Sequence, residues 1–231
     1  VCPTFTTTYT ATLTAELPDG TLEIREDDVI VEREVGCITY DCTDTQFSED
    51  FGEGTAPVDH PFLPAPYVFD GGGTLDPLDY SVQNGTSPIN TGWHQNLEDH
   101  TEDDTNGNAL IINVSDLPAE AEFYRREIAV EANTDYFFVI WVTTMYDTDA
   151  NVCPADGDPT NFIYRFEDTA GLTVSSSSTG DVPNQSEFEW KRFFLEFNSG
   201  NNTTLELVLE NIEFGGCGND FAIDDIGLYF E

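Results

Sequence analysis

Lysine is almost missing from this sequence. Of seven Lys and Arg residues only Lys191 is a lysine, against 45 aspartates and glutamates, and the formal net charge is −38. Ordinary nucleic-acid binding needs cationic groups that release phosphate counterions, so that partner class is excluded. An anionic membrane surface repels such a chain as well. No apolar run reaches the roughly 18 residues that a membrane span needs. None of the five cysteines (Cys2, Cys37, Cys42, Cys153, Cys217) forms a CxxC pair, which argues against zinc and thioredoxin-type chemistry. There is no Gly-x-Ser-x-Gly elbow and no Cys–His nucleophile motif. The chain opens on Val1-Cys2 rather than on Met, which reads as a protein whose secretory leader has been removed. A secreted protein at the extracellular cell surface is the expectation, with disulfides as the default state of its cysteines. Five is an odd number, so one thiol is free or pairs with another molecule.

What is present is acid, aromatics and alternation. Disorder is the first reading of so high a charge, but 39% hydrophobic and 13% aromatic residues are enough for a core. The acids then either hold divalent cations or form a solvated surface suited to high salt, where self-repulsion is screened. The scarcity of lysine along the whole chain favours the halophilic reading as the main cause, and the two are compatible. Period-two alternation dominates and helical periodicity is hard to find. Tyr136–Tyr146, Phe188–Phe197, Leu205–Ile212, Phe221–Phe230, Ala109–Val114 and Phe162–Phe166 read as strands. Turn signals separate them: Asp70-Gly71-Gly72-Gly73, Asn106-Gly107, Asp156-Gly157, Gly171, Ser199-Gly200 and Gly215-Gly216-Cys217-Gly218. Many short strands with such spacing predict an all-β sandwich or barrel. Composition shifts near Thr43–Phe47. Before it, Tyr9, Ala11, Leu13, Ala15 and Leu17 alternate with Thr and Glu, Pro18-Asp19-Gly20 makes a turn, and Leu22, Ile24, Val29, Val31 and Val35 mark further strands. The chain is therefore read as an N-terminal β-segment, 1–43, and a main domain, 44–231.

From Phe47 the order of motifs becomes specific. Asp50-Phe51-Gly52-Glu53-Gly54 opens the region. Trp93, Asp99-His100-Thr101, Asn106-Gly107, Phe123-Tyr124-Arg125, Phe166-Glu167-Asp168, Thr179-Gly180-Asp181-Val182-Pro183 and Trp190-Lys191 follow. Gly215-Gly216-Cys217-Gly218-Asn219-Asp220-Phe221-Ala222-Ile223-Asp224-Asp225-Ile226 closes it. This succession resembles the jelly-roll repeats of large cell-surface adhesins from gliding Bacteroidota. More distantly it is similar to the MAM domain and to calcium-containing carbohydrate-binding jelly rolls. The resemblance covers about four-fifths of the chain and leaves out residues 1–43. It implies a jelly-roll β-sandwich with an adhesive or binding role. The chain departs from those repeats in being far more acidic and in its added N-terminal segment.

The resemblance also implies a structural calcium ion, clasped by acids from the first and last strands of the jelly roll. Calcium takes six to eight hard oxygen ligands. The residues carried over are Asp50 and Glu53 at the opening and Asp225 at the close, with Asp99 and Asp104 as second choices. Asp224 and Asp225 are adjacent on a strand and should leave opposite faces, and Asp225 is taken as the inward one. The matching histidine of the resembling domains is a structural loop residue, so His100 is read as structural rather than as half of an acid–base pair. Cysteines recur in those repeats at the places of Cys153 and Cys217, which implies that these two pair. For the others, Cys2–Cys37 and Cys37–Cys42 both stay open.

Most aromatics, Trp141 included, are expected in the core. Trp93 and His94 lie nearer loops and are the candidates for stacking on a sugar ring. Adjacent acid pairs such as Asp103-Asp104 arise by chance in so acidic a chain, and geometry rather than adjacency defines a glycosidase. The expectation is a non-enzymatic structural or adhesive surface protein whose partners are copies of itself. The long Thr-rich strand of residues 5–17 would add to the sheet edge of the next subunit and build a filament. The alternative is a carbohydrate-binding module recognising extracellular glycans.

Overall fold

The computed structural model describes residues 5–16, 22–33, 45–71, 73–85, 90–114, 122–213 and 216–231. The chain divides into two units, Val1–Asp41 and Cys42–Glu231. In the first, β1 (Phe5–Glu16) and β2 (Leu22–Arg33) pair antiparallel without a break, from Phe5↔Arg33 to Glu16↔Leu22. The alternating Thr-rich run is a strand, as its period requires. It pairs with β2 within the chain, so it is one half of a ribbon. The Pro18-Asp19-Gly20 turn, Val35, and the pairing of Cys2, Cys37 and Cys42 lie outside the described residues.

The second unit is all-β, two sheets with a shared core. The larger sheet runs in the order β11 (Lys191–Asn198), β8 (Asp135–Thr144), β13 (Phe221–Phe230), β6 (Ala109–Ile112), β5 (Asp79–Gln83), β4 (Val68–Phe69), with β3 (Thr45–Glu49) also on β13. The smaller runs β10 (Thr173–Ser178), β9 (Phe162–Glu167), β12 (Thr204–Asn211), β7 (Glu122–Ala129). Every strand pair is antiparallel except β4–β5. The core forms where the two inward faces meet. Tyr136, Phe138, Ile140 and Val142 of β8 and Ile223, Ile226 and Leu228 of β13 come from one sheet; Phe162, Tyr164 and Phe166 of β9 and Leu205, Leu207 and Leu209 of β12 come from the other. Burying each such side chain stabilises the sandwich by about 1.5–3 kcal/mol. Phe166 stacks on Phe197 at 4.4 Å between centroids and meets Phe138 edge-on at 5.3 Å, so rings from both sheets interlock.

This phase corrects one expectation. With Phe138, Ile140 and Val142 inward, the alternate set Phe137, Val139 and Trp141 faces away from the core, and Trp141 is half-buried on the outer face. A second, smaller cluster lies outside the sandwich core: Leu75, Trp93, Leu97, Ala109, Ile111, Met145 and Ala222, with Phe188 and Trp190 against it. Cys153 and Cys217 form the implied disulfide. It joins the loop that follows β8 to the segment that leads into β13.

Candidate functional site

The closing strand changes neighbour half-way along. Phe221–Ile223 pair with β6, and Ile226–Tyr229 pair with β3. At the change, the register against β8 shifts between Asp224 and Gly227, and Asp225 takes a φ of 44°. Plain alternation would split the two carboxylates between faces and send Asp225 inward. The bulge cancels that alternation: Asp224 is the fully buried one, Asp225 is half-buried, and both meet the loop around His100. The His100 backbone N–H donates to Asp224 Oδ2 at 2.7 Å, and the Asp225 N–H donates to Asp224 Oδ1 at 2.8 Å. His100 Nδ1 lies 2.6 Å from Asp225 Oδ2, and Thr101 Oγ1 donates to Asp225 Oδ1 at 2.9 Å. The His100 ring stacks on Trp141 at 3.7 Å, and Trp190 Nε1 donates to the Glu98 carbonyl at 2.9 Å. Both carboxylates are thus occupied by protein donors and the imidazole is held between a ring and an acid. These contacts make the Asp-His-Thr segment a clasp on the closing strand.

The residues named for calcium gather only in part. Glu49 pairs with Ile226, so Asp50 and Asp225 are the next residues on neighbouring strands. Glu53 bridges Gly107, and Asn108 N–H donates to the Gly52 carbonyl at 2.8 Å. The opening segment, the 99–107 loop and the closing strand do run side by side. Asp50 and Glu53 are nonetheless exposed, and Asp50 Oδ1 accepts the Gly52 N–H of its own turn at 3.0 Å. Asp99, Asp104 and Asp225 interact electrostatically: burial raises the Asp99 carboxyl, and the charges of Asp104 and Asp225 raise it further. Asp224 is pushed up to about 8, by burial first and then by Asp225 and Asp99. The Asp99 Oδ2 is buried with no hydrogen-bond partner, and it lies so close over Gly107 that a Cβ there would collide with the carboxylate. Hard carboxylate oxygens with one orphan among them fit calcium chemistry. Among the described residues, however, no three His, Cys, Asp or Glu side chains are grouped as a ligand set.

Trp93 and His94 do not offer a stacking surface. They are 5% and 7% exposed. Trp93 Nε1 donates to Asp220 Oδ2 at 3.1 Å, and His94 meets Phe188 edge-on at 5.9 Å. Their place beside a loop suggested exposure, but that loop folds onto the outer cluster.

A row of aromatics lies elsewhere, on the outer face of β11, β8, β13 and β3. Register places Phe194 opposite Val139, and Val139 opposite Gly227. Gly227 in turn pairs with Ser48. One step along, Glu196, Phe137 and Tyr229 form the adjacent row. Phe137 stacks on Phe194 with centroids 5.7 Å apart. The Tyr229 ring fills the space a side chain at Gly227 would take. Val139 is covered, whereas Phe194 is 46% exposed and Phe137 and Tyr229 are half-exposed. The result is a strip of rings spanning three strands, about 10 Å across at the usual strand spacing. Exposed Glu196 and Ser48 lie at its margins. The sequence held one signal for it: Phe137-Phe138 and Phe193-Phe194 are adjacent pairs, and on a strand one member of each must leave the core.

No family model matches the chain, and no curated protein matches it. Among solved structures it is similar to the CBM22-1 xylan-binding domain from Paenibacillus barcinonensis Xyn10C, at 12% identity and a TM-score of 0.43, over 81% of this chain and 94% of that one. It is also similar to TmCBM61 in complex with β-1,4-galactotriose, at 15% identity and a TM-score of 0.38, over 66% and 82%. A third is arabinose-bound MgGH51 α-L-arabinofuranosidase, at 11% identity and a TM-score of 0.43, over 81% of this chain and 26% of that one. Likenesses this distant say nothing of function, which rests on the residues.

Proposed function

We propose that this is an extracellular, non-catalytic binding protein, and that its ligand is a glycan laid on the outer face of the larger sheet. The observation that carries the reading is Phe194, 46% exposed on that face and stacked on Phe137, with Tyr229 in the adjacent row. A pyranose ring presents C–H groups on its faces, and these pack against the electron-rich face of an aromatic ring while removing apolar area from water. Its hydroxyls need acceptors and donors at the margin, which Glu196 and Ser48 supply. A net charge of −38 repels polyanions, so the glycan is uncharged. The acid–histidine cluster, by contrast, has both carboxylates occupied by protein donors, which favours binding over chemistry. An array of neutral polysaccharides tests the reading. At least one is expected to bind, with affinity reduced at least tenfold (about 1.4 kcal/mol) by Phe194→Ala. Binding of the variant at full strength would remove the strip from the account.

Calcium is kept as a proposal at Asp99, whose Oδ2 has no hydrogen-bond partner, with the neighbouring Asp104, where a cation would neutralise mutually repelling carboxylates. Calcium is expected to raise the melting temperature and EDTA to lower it, and a melting curve indifferent to both would contradict this part.

Self-association is a second reading, favoured by a separate observation. Among the described residues the β1–β2 ribbon is a two-stranded sheet, and such ribbons are marginal on their own in water.

A further inference from the structure

The two edges of the ribbon differ in kind. The strand β2 carries Glu23, Arg25, Glu26, Asp27, Asp28, Glu32 and Arg33 along its 12 residues. Its neighbour β1, also 12 residues, carries no charge until Glu16 and is built of Thr alternating with Phe, Tyr, Ala and Leu. Natural sheets blunt an open edge with charged side chains, proline, bulges or short length. The β2 edge has the charges. The β1 edge, which has no second partner strand among the described residues, lacks these devices: it is uncharged from Phe5 to Ala15, free of proline within Phe5–Glu16, paired with β2 in unbroken register and about 40 Å long at the usual rise per residue.

We propose that the open edge of β1 pairs antiparallel with β1 of a second copy of this chain, giving a continuous four-stranded sheet in the order β2-β1-β1′-β2′. Charge selects this occupant. Two molecules at −38 each repel over most of their surface, and an uncharged segment is where they can approach. Identical strands in antiparallel array are related by a twofold axis, so the contact is self-complementary and closes on a dimer. With the axis at Thr10, Thr8 of one copy faces Thr12 of the other. Thr–Thr pairs across strands are favourable, and like charges in the same places are not. Charged β2 edges then bound the joined sheet and stop further growth. The filament expected from strand donation is thereby replaced by a closed pair. The inference rests on the self-association reading and is independent of the glycan site.

Sedimentation equilibrium on the full chain at about physiological salt, where charges separated by more than roughly 8 Å are screened, tests it. The wild type is expected to be a dimer. The double variant Thr8→Glu/Thr12→Glu is expected to weaken dimerisation at least tenfold, while Ile30→Glu on β2 leaves it unchanged. Near-ultraviolet circular dichroism of the sandwich aromatics checks that each variant keeps its fold. A dimer that survives the β1 substitutions would overturn the edge assignment and leave self-association standing. A wild type that is monomeric at every concentration would overturn both, and open polymers would overturn the twofold closure.

Discussion

Three of the five cations of the second unit, Arg125, Arg126 and Arg165, are paired with its own glutamates. Arg125 reaches Glu122, Glu167 and Glu206, Arg165 reaches Glu167 and Glu210, and Arg126 pairs with Glu49 while lying over the rings of Phe47 and Phe62. Across β7, β12 and β9 the register explains the first two: Arg125 and Arg165 both lie opposite Val208, so their guanidiniums flank one strand and share the glutamates around it. Glu167 is the residue they share, and it is 7% exposed. Burial alone raises its carboxyl, but Arg165 and Arg125 more than reverse that and hold it below the usual range. A carboxyl depressed in the fold binds its proton more readily in the unfolded chain. Its contribution is therefore full above the unfolded value of about 4.3 and is lost as pH falls through the folded value. Glu167→Gln should cost about 2 kcal/mol near neutral pH and flatten the acid side of the stability curve. Thermal melts from about pH 3 to 7 check this, and an unchanged acid limb would show that the pair contributes nothing. Little of this was legible beforehand. Arginine and glutamate positions are plain in a sequence, but which of them share a sheet face depends on pairing between strands far apart in the chain.

The elements were legible wherever apolar alternation is strong. The strands at Phe162, Leu205 and Phe221 start within a residue of their expected places because the inward residues are large and the turns before them are marked. The strand Thr173–Ser178 is not legible, since its sequence TVSSSS has no apolar period, and among the described residues it is an edge strand paired with β9. The strand Glu122–Ala129 hides its period behind Arg125 and Arg126. The clasp shows a different limit. Its acids were picked out from their motif, but the bulge that turns both Asp224 and Asp225 toward His100 leaves no mark in residue spacing. Two substitutions probe these connections. Gly107→Ala should destabilise the 99–107 loop, because its Cβ would displace the Asp99 carboxylate, and hydrogen exchange at His100 and Thr101 is expected to accelerate while exchange in β9 and β12 does not. Cys153→Ser with Cys217→Ser opens a loop of 64 residues. By chain entropy the loss is about 4 kcal/mol, readable in chemical unfolding as a lower midpoint with oxidised wild type as the reference.

At the scale of the molecule the dominant quantity is charge. A chain at −38 with so few counter-charges repels itself in the compact state. Salt screens that repulsion, with a Debye length shrinking from about 10 Å at 0.1 M to about 3 Å at 1 M. The melting temperature should therefore climb steeply over that range, and a protein equally stable at both would contradict the salt-adapted reading of its surface. The all-β class followed from composition and period, which left sandwich and barrel open, and the sandwich was what the motif resemblance implied. The proposed binding face did not follow from either, because its aromatics belong to strands whose other face supplies the core, and the pairing of β11, β8 and β13 shows which rings are left outside. The account is tested most directly by assigned aromatic resonances recorded while a binding neutral oligosaccharide is titrated in. Ring signals of Phe137, Phe194 and Tyr229 are expected to shift together and saturate with one affinity, while those of Trp93 and Phe166 stay in place. Shifts confined to the Trp93 loop or to the smaller sheet, with the three rings unmoved, would contradict it.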